Sequence, residues 1–254
     1  MRVAALYDIH GNLPALEAVL EDIDQDQFDQ IVVGGDVVPG PMPRETLARL
    51  LDLEIPVQFI QGNGDREAVA SMKGMELTTV PPAFQELVHW SARELQPEYE
   101  HFLASWPPTL RLQIGGIGEV LFCHATPRND VEMFTRRTAE ARLVPLFDHL
   151  GVSVVICGHT HMQFDRVIGS TRVVNAGSVG MSFEGPGAFW LSMGPDIQLR
   201  RTTYDRRNAA DRIRATKYPQ AEEFAARSVL QPPSADEMLN AFSPVELKEE
   251  RPTS

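Results

Sequence analysis

The chain has 254 residues, 43% hydrophobic and 23% charged, with a formal net charge of −12 from 35 acidic against 23 basic residues. That length allows one large α/β domain or two small ones with a real core, and the acidic balance argues against a protein that grips duplex DNA or RNA by its phosphates. Two cysteines cannot build a disulfide framework, so a cytoplasmic location is expected, with no membrane partner, because no apolar run approaches the ~18 residues of a spanning helix and the opening MRVAALYDIHG lacks a signal peptide's apolar stretch.

Residues 2–7, RVAALY, read as a short buried strand. After DIHGN, the segment LPALEAVLEDI spaces Leu13, Leu16, Leu20 and Ile23 at helical intervals, with Pro14 in its first turn. QIVVGGD and VQFIQGNGD then read as strands around the helical RETLARLLDL. Such short alternations predict parallel strands joined by crossover helices. Residues 66–108 break the pattern with amphipathic, proline-interrupted pieces (PPAFQELVHWSAREL, PEYEHFLASW) and read as a helical insertion. LRLQIGGIGEVLFCHATP reads as a strand pair, TAEARLVPLFDHLG as a helix and VSVVICGHTH as a strand. FDRVIGSTRVVNAGSVG, GAFWLSMG and DIQLRRTTYD are short strands with turns between them, including a Gly169-Ser170 hairpin turn. Residues 206–218 read as a helix, and from about 228 the Pro, Ser and Glu content, ending in KEERPTS, predicts a loosely held tail. The expected division is one domain over 1–205, with the insertion at about 66–108, and a C-terminal helix and tail over 206–254.

Five predicted strand ends finish in metal-binding residue types: Asp8-Ile9-His10, Gly35-Asp36, Gly62-Asn63, Cys123-His124 and Gly158-His159-Thr160-His161. The carboxyl ends of strands in an open α/β sheet share one crevice, so the five segments are expected to converge. On extended backbone alternate residues point the same way. That predicts Asp8 and His10 on one side of their strand end, and His159 and His161 together on one side of theirs. Two Asp, one Asn and four His make seven donors. A tetrahedral ion needs about four, so seven with one shared carboxylate fit two divalent ions. Mixed nitrogen and oxygen donors favour transition metals over calcium: manganese first, with iron, zinc, nickel or cobalt as alternatives. Asp36, alone at its strand end, is the natural bridge. His89, His101 and His149 lie in predicted helices and receive no role, and Cys123 and Cys157 read as small buried hydrophobes.

The order D-x-H-G-N, GD, GN, a lone His and GHTH resembles the calcineurin-like metallophosphoesterases, especially their small bacterial and archaeal phosphodiesterases. The resemblance runs from about residue 1 to residue 205 and includes NAGSVG at 175–180, similar to that subgroup's NPGS turn. It implies a four-layer α/β/β/α sandwich of two mixed β-sheets flanked by helices. It also implies a division of ligands, with Asp8, His10, Asp36 and His161 on one ion and Asp36, Asn63, His124 and His159 on the other. A hydroxide bridging the ions would attack a small or nucleotide-like phosphodiester. The chain departs from many phosphatases of the family at Gly64, where they carry the histidine that protonates the leaving group. That argues for a phosphodiesterase over a phosphomonoesterase or protein phosphatase; a non-catalytic metal-binding scaffold of the same fold is the remaining alternative. Asp65 is expected to orient a ligand through a hydrogen bond. Arg66 and Arg128 are candidate phosphate contacts, and Asn12 either contacts phosphate or caps a helix. The insertion at 66–108 would either overhang the site or form the surface of a homo-oligomer.

Overall fold

The structure, a computed structural model, describes residues 1–247; the KEERPTS end of the expected tail lies outside the described residues. Strands β1 (Val3–Leu6), β2 (Gln30–Val33) and β3 (Val57–Phe59) run parallel. Helices α1 (Leu13–Asp26) and α2 (Pro43–Leu51) cross between them. Three further helices follow: α3 (Asn63–Met72), α4 (Pro82–Glu94) and α5 (Glu98–Ala104). β4 (Thr109–Ile114) and β5 (Gly118–Cys123) form an antiparallel pair, and α6 (Glu140–Phe147) leads to β6 (Val154–Cys157), which runs parallel to β5. β7 (Phe164–Ile168) and β8 (Thr171–Asn175) form the hairpin, turning at Gly169-Ser170. β9 (Ala188–Met193) and β10 (Ile197–Thr202) are antiparallel. The chain continues through α7 (Arg206–Arg214), α8 (Ala221–Phe224) with a π-helical turn over Ala225–Leu230, and α9 (Ala235–Phe242).

The strands assemble into two mixed five-stranded sheets, ordered β10-β9-β1-β2-β3 and β4-β5-β6-β8-β7. The period-2 alternation of a strand assigns the layers. Val3, Ala5 and Tyr7 point inward and pack with Phe122, Ile156 and Val174 of the second sheet. Ala4 and Leu6 point outward onto Leu16, Val19 and Leu20 of α1. Leu121, Val155 and Val173 face Leu143 and Phe147 of α6 on the opposite outside. The result is the α/β/β/α sandwich. Burial on both faces explains why β1 reads as an uninterrupted apolar run.

The insertion is helical, and one local reading, of the tail, differs from the structure. The insertion extends the outer helical layer: Val69, Val88, Leu103 and Trp106 join the same core as Leu6 and Val33. Residues 228–247, expected to be loosely held, are packed as far as Leu247. Ser234 and Glu237 close a capping box on α9, Thr135 Oγ1 donates to Glu246 at 2.7 Å, and the Leu247 N–H donates to Met133 O at 2.9 Å. Composition missed this because the anchors are single polar contacts to a distant loop.

Candidate metal centre

The two sheets deliver donors to one shared edge. Asp8 and His10 follow β1, Asp36 follows β2, and Asn63 is the first residue of α3 just after β3. His124 follows β5, and His159 and His161 follow β6. Donor atoms of Asp8, His10 and His161 lie within 4.8 Å of one another, and so do those of Asp36, His124 and His159. The structure therefore brings all seven predicted residues together, Asn63 through its 3.1 Å approach to His124 Nε2. Among the described residues His89, His101 and His149 join neither cluster.

Asp8 and His10 share a cluster, as alternation predicts, but the second pair does not. His159 and His161 fall in different clusters, because extended backbone ends before the ligands begin. Asp8, His10, Asp36, His159 and His161 have φ of +53°, +48°, +54°, +65° and +56°. These are left-handed conformations, which Asp and His enter more readily than most side chains but still at a cost. Such strain persists only where the surroundings over-determine it. The Ser178 hydroxyl and the Gly180 N–H both donate to Asp8 O, at 2.7 and 3.0 Å. Asp65, fully buried, accepts from the N–H groups of Asp36, Val37, Val38 and Gly62 at 2.7–3.2 Å. It thus orients Asp36 through the backbone that carries it. Burial pushes the Asp65 carboxyl up to about 7, with the Asp36 charge adding to it against the N–H donors.

The glycines of QGNGDRE have distinct reasons. A Cβ on Gly62 would lie 2.3 Å from Asp36 Oδ1. One on Gly64 would lie 2.8 Å from Pro39 Cγ and 2.9 Å from Asp36 Oδ1. The Gly64 N–H donates to Asp36 Oδ1 at 2.7 Å. Asp36 Oδ2 is left facing both clusters, 3.8 Å from His10 Nε2 and 3.6 Å from His124 Nε2.

Does this donor set fit metal ions? His10, His124 and His161 each donate Nδ1–H to a backbone carbonyl, of Pro39, Gly34 and Met181 at 3.2, 2.9 and 2.7 Å. That fixes their tautomers and turns the Nε2 lone pairs inward. The Nε2 atoms of His10 and His161 are then only 3.2 Å apart, and His161 Nε2 is 3.2 Å from Asp8 Oδ1. Ligand bonds of about 2.1 Å place neighbouring donors about 3.0–3.4 Å apart. Asp8 Oδ1 and His159 Nε2 are buried with no hydrogen-bond partner among the described residues. The Asn63 oxygen faces three acceptors, His124 Nε2 at 3.1 Å, His159 Nδ1 at 3.0 Å and Asp130 O at 3.1 Å, while its nitrogen faces the Gly64 N–H at 3.2 Å. Hydrogen bonding alone favours the amide turned over; a cation favours it as placed. Lone pairs crowded together, with buried acceptors left over, fit a pair of cations.

Electrostatics agree with this arrangement. Burial alone would raise the Asp8 carboxyl, but the imidazoles of His161, His124 and His10 hold it far below the carboxylate range. Burial, then the neighbouring His161, pushes His10 down, and burial with His124 pushes His159 down to about 4. Burial also works to lower His124, but Asp36 and Asp8 outweigh it and hold its pKa above the ordinary value. Burial pushes the Cys123 and Cys157 thiols up, so both stay protonated as small core residues.

The three candidate phosphate contacts fare differently. Asn12 is fully buried; its Oδ1 accepts from Ala15 N at 3.3 Å and its Nδ2 donates to Gly180 O at 2.8 Å. It caps α1 and cannot contact phosphate. Arg66 and Arg128 do line a cavity of about 340 Å³ beside His124, together with Gln61, Thr126 and Asp130. Both are already committed to carboxylates. Arg66 grips Asp130 through two hydrogen bonds of 2.7 and 3.0 Å and reaches Glu67 at 3.0 Å, and Arg128 pairs with Glu132. The backbone carbonyls that fix the histidines had no signal in the sequence; NAGSVG did flag the turn containing Ser178 and Gly180.

A calcineurin-like phosphoesterase superfamily domain matches residues 1–193. The chain belongs to that superfamily. An uncharacterized protein of Methanocaldococcus jannaschii is 26% identical over 238 residues, covering 86% of this chain and 94% of its own. A metallophosphoesterase from Sphaerobacter thermophilus superposes with a TM-score of 0.67 at 26% identity, covering 89% of this chain and 98% of that one. A hypothetical protein from Pyrococcus horikoshii OT3 shares the fold, with a TM-score of 0.77, 20% identity and coverage of 92% and 99%. This superfamily member thus carries candidate ligands for the dinuclear, metal-dependent chemistry of its family, the hydrolysis of phosphoric esters. No helix among the described residues is long and apolar enough to cross a membrane.

Proposed function

We propose that the protein is a cytoplasmic phosphodiesterase acting on a small or nucleotide-like diester. Asp8, His10, Asp36 and His161 would hold one divalent ion, manganese in the first instance, and Asp36, Asn63, His124 and His159 the other. The pair, when bound, would supply a Lewis-acid clamp at phosphorus and activate the attacking water. The chain's own part is to hold the donors. Asp36 turns Oδ2 toward both clusters while Gly64 keeps Oδ1 occupied, and the carbonyls of Pro39, Gly34 and Met181 fix three imidazoles.

The observation that carries the choice of a diester is the state of the two arginines beside His124. Both are neutralised by carboxylates. Two divalent ions and two aspartates leave a modest positive charge, suited to a diester monoanion. A monoester dianion would ask for a further free cation, and this cavity offers none from Arg66 or Arg128. Position 64 supports the same reading, because a side-chain acid there would collide with Pro39 and Asp36. The leaving group then departs without a proton from that position, which favours substrates with a stable leaving anion.

The test is hydrolysis of an aryl phosphodiester beside its monoester, on metal-stripped protein refilled with manganese. Diester cleavage exceeding monoester cleavage is expected. Monoester preference would overturn the substrate class, and two bound ions without turnover of either would shift the reading to a metal-binding scaffold.

A further inference from the structure

The C-terminal helix lies beyond the part of the chain that matches the superfamily domain, yet it reaches the metal centre. Phe183, in the loop between β8 and β9, stacks on His161 with ring centroids 4.7 Å apart and planes 25° apart. Phe242, the last residue of α9, packs on Phe183 at 5.9 Å and 55°. The arm carrying Phe242 is pinned to the loop after β5 and to α6. Arg137 donates to Asp236 at 2.7 Å and to Asn240 at 3.1 Å, and Arg142 donates to Glu246 O at 2.8 Å. Contacts therefore run unbroken from α9 to one ligand ring.

We propose that Phe183 and Phe242 are positioning residues for His161, so that the C-terminal arm sets the affinity of the Asp8–His10–His161 half of the centre. This rests on the two-ion reading above. The bond from His161 Nδ1 to Met181 O holds one edge of the ring, and a single hydrogen bond acts as a hinge. A ring stacked on the imidazole face blocks rotation about that hinge. Phe183 is half-exposed in a loop; its N–H donates to His161 O at 3.1 Å, and Phe242 supplies its side-chain support. Among the described residues Asp36, His124 and His159 have no equivalent stack on this arm, so their half of the centre should not feel it.

The test titrates manganese into metal-free full-length wild type, F183A, F242A and F183W, following both sites by calorimetry and electron paramagnetic resonance. F183A should weaken one of two sites by about tenfold, as loss of support around a ligand does, and leave the other nearly unchanged. F242A should weaken the same site by less, and F183W should restore it. In an H161A background F183A should cost nothing further, because the contact is already gone. Unchanged affinities in both variants, or equal loss at both sites, would overturn the positioning role. Wild type that binds fewer than two ions would overturn the two-ion reading and this inference with it.

Discussion

The two halves of the centre are held to different degrees. Around Asp8, both histidines have Nδ1 bound to carbonyls, and Phe183 covers one ring. Around Asn63, His124 is fixed by Gly34, but His159 Nε2 has no partner among the described residues and the amide oxygen faces only acceptors. In the first half protein contacts alone fix both imidazole rings. The second, which borders the cavity beside His124, relies on an ion to reconcile its donors. Each half keeps one buried acceptor open, Asp8 Oδ1 in the first and His159 Nε2 in the second, but only the second also carries an amide that faces acceptors alone.

The sharpest way to break this comparison is to remove what the halves share. Asp36→Asn should cost both ions and lower turnover on the order of 10³-fold or more, seen as metal content per chain and initial rate. Asp65→Asn comes next. It turns one acceptor oxygen into an NH2 that faces N–H donors, so the protein should lose about 2–4 kcal/mol of stability by denaturant unfolding and both ions should bind more weakly. Asn63→Ala should separate the halves, weakening one site by about 10–100-fold and sparing the other. Gly64→His, which restores the histidine of related phosphatases, should bring no new acid. Overpacking against Pro39 and Asp36 should instead destabilise the fold by about 1–3 kcal/mol; improved monoester hydrolysis would contradict that.

The smallest effect is in pH. His124, raised by Asp36 and Asp8, carries its proton longest on the way up in pH, whereas His10 and His159 are lowered and lose theirs early. Manganese affinity should therefore fall on acidification through the His124 range and flatten above it, with proton release on binding greater at low pH. Without metal the sign reverses. A raised histidine pKa contributes stability that is complete below the unfolded value of about 6.5 and is lost as pH rises through the folded one. Thermal midpoints of metal-free protein across that range check the second half of the prediction.

Much of this was legible in the sequence because the signals were local. Strand ends finishing in Asp, Asn and His marked the residues that converge, and alternating strand and helix segments gave the layers. What the sequence hid was backbone conformation and long-range pairing. Extended geometry predicted His159 and His161 side by side, and left-handed φ at both sends them to different clusters. Arg66 read as a phosphate contact because its partner Asp130 is 64 residues away. Asn12 was ambiguous until both ends of its amide were seen to be used. The C-terminal segment looked loose because single contacts to Thr135 and Met133 leave no periodicity.

The most direct test of the central claim is electron paramagnetic resonance of the wild-type protein loaded with manganese. Two clusters joined through Asp36 predict an exchange-coupled pair with about two ions per chain, and loss of that coupling in Asp36→Asn. Two independent manganese signals, or one ion per chain, would contradict the shared centre.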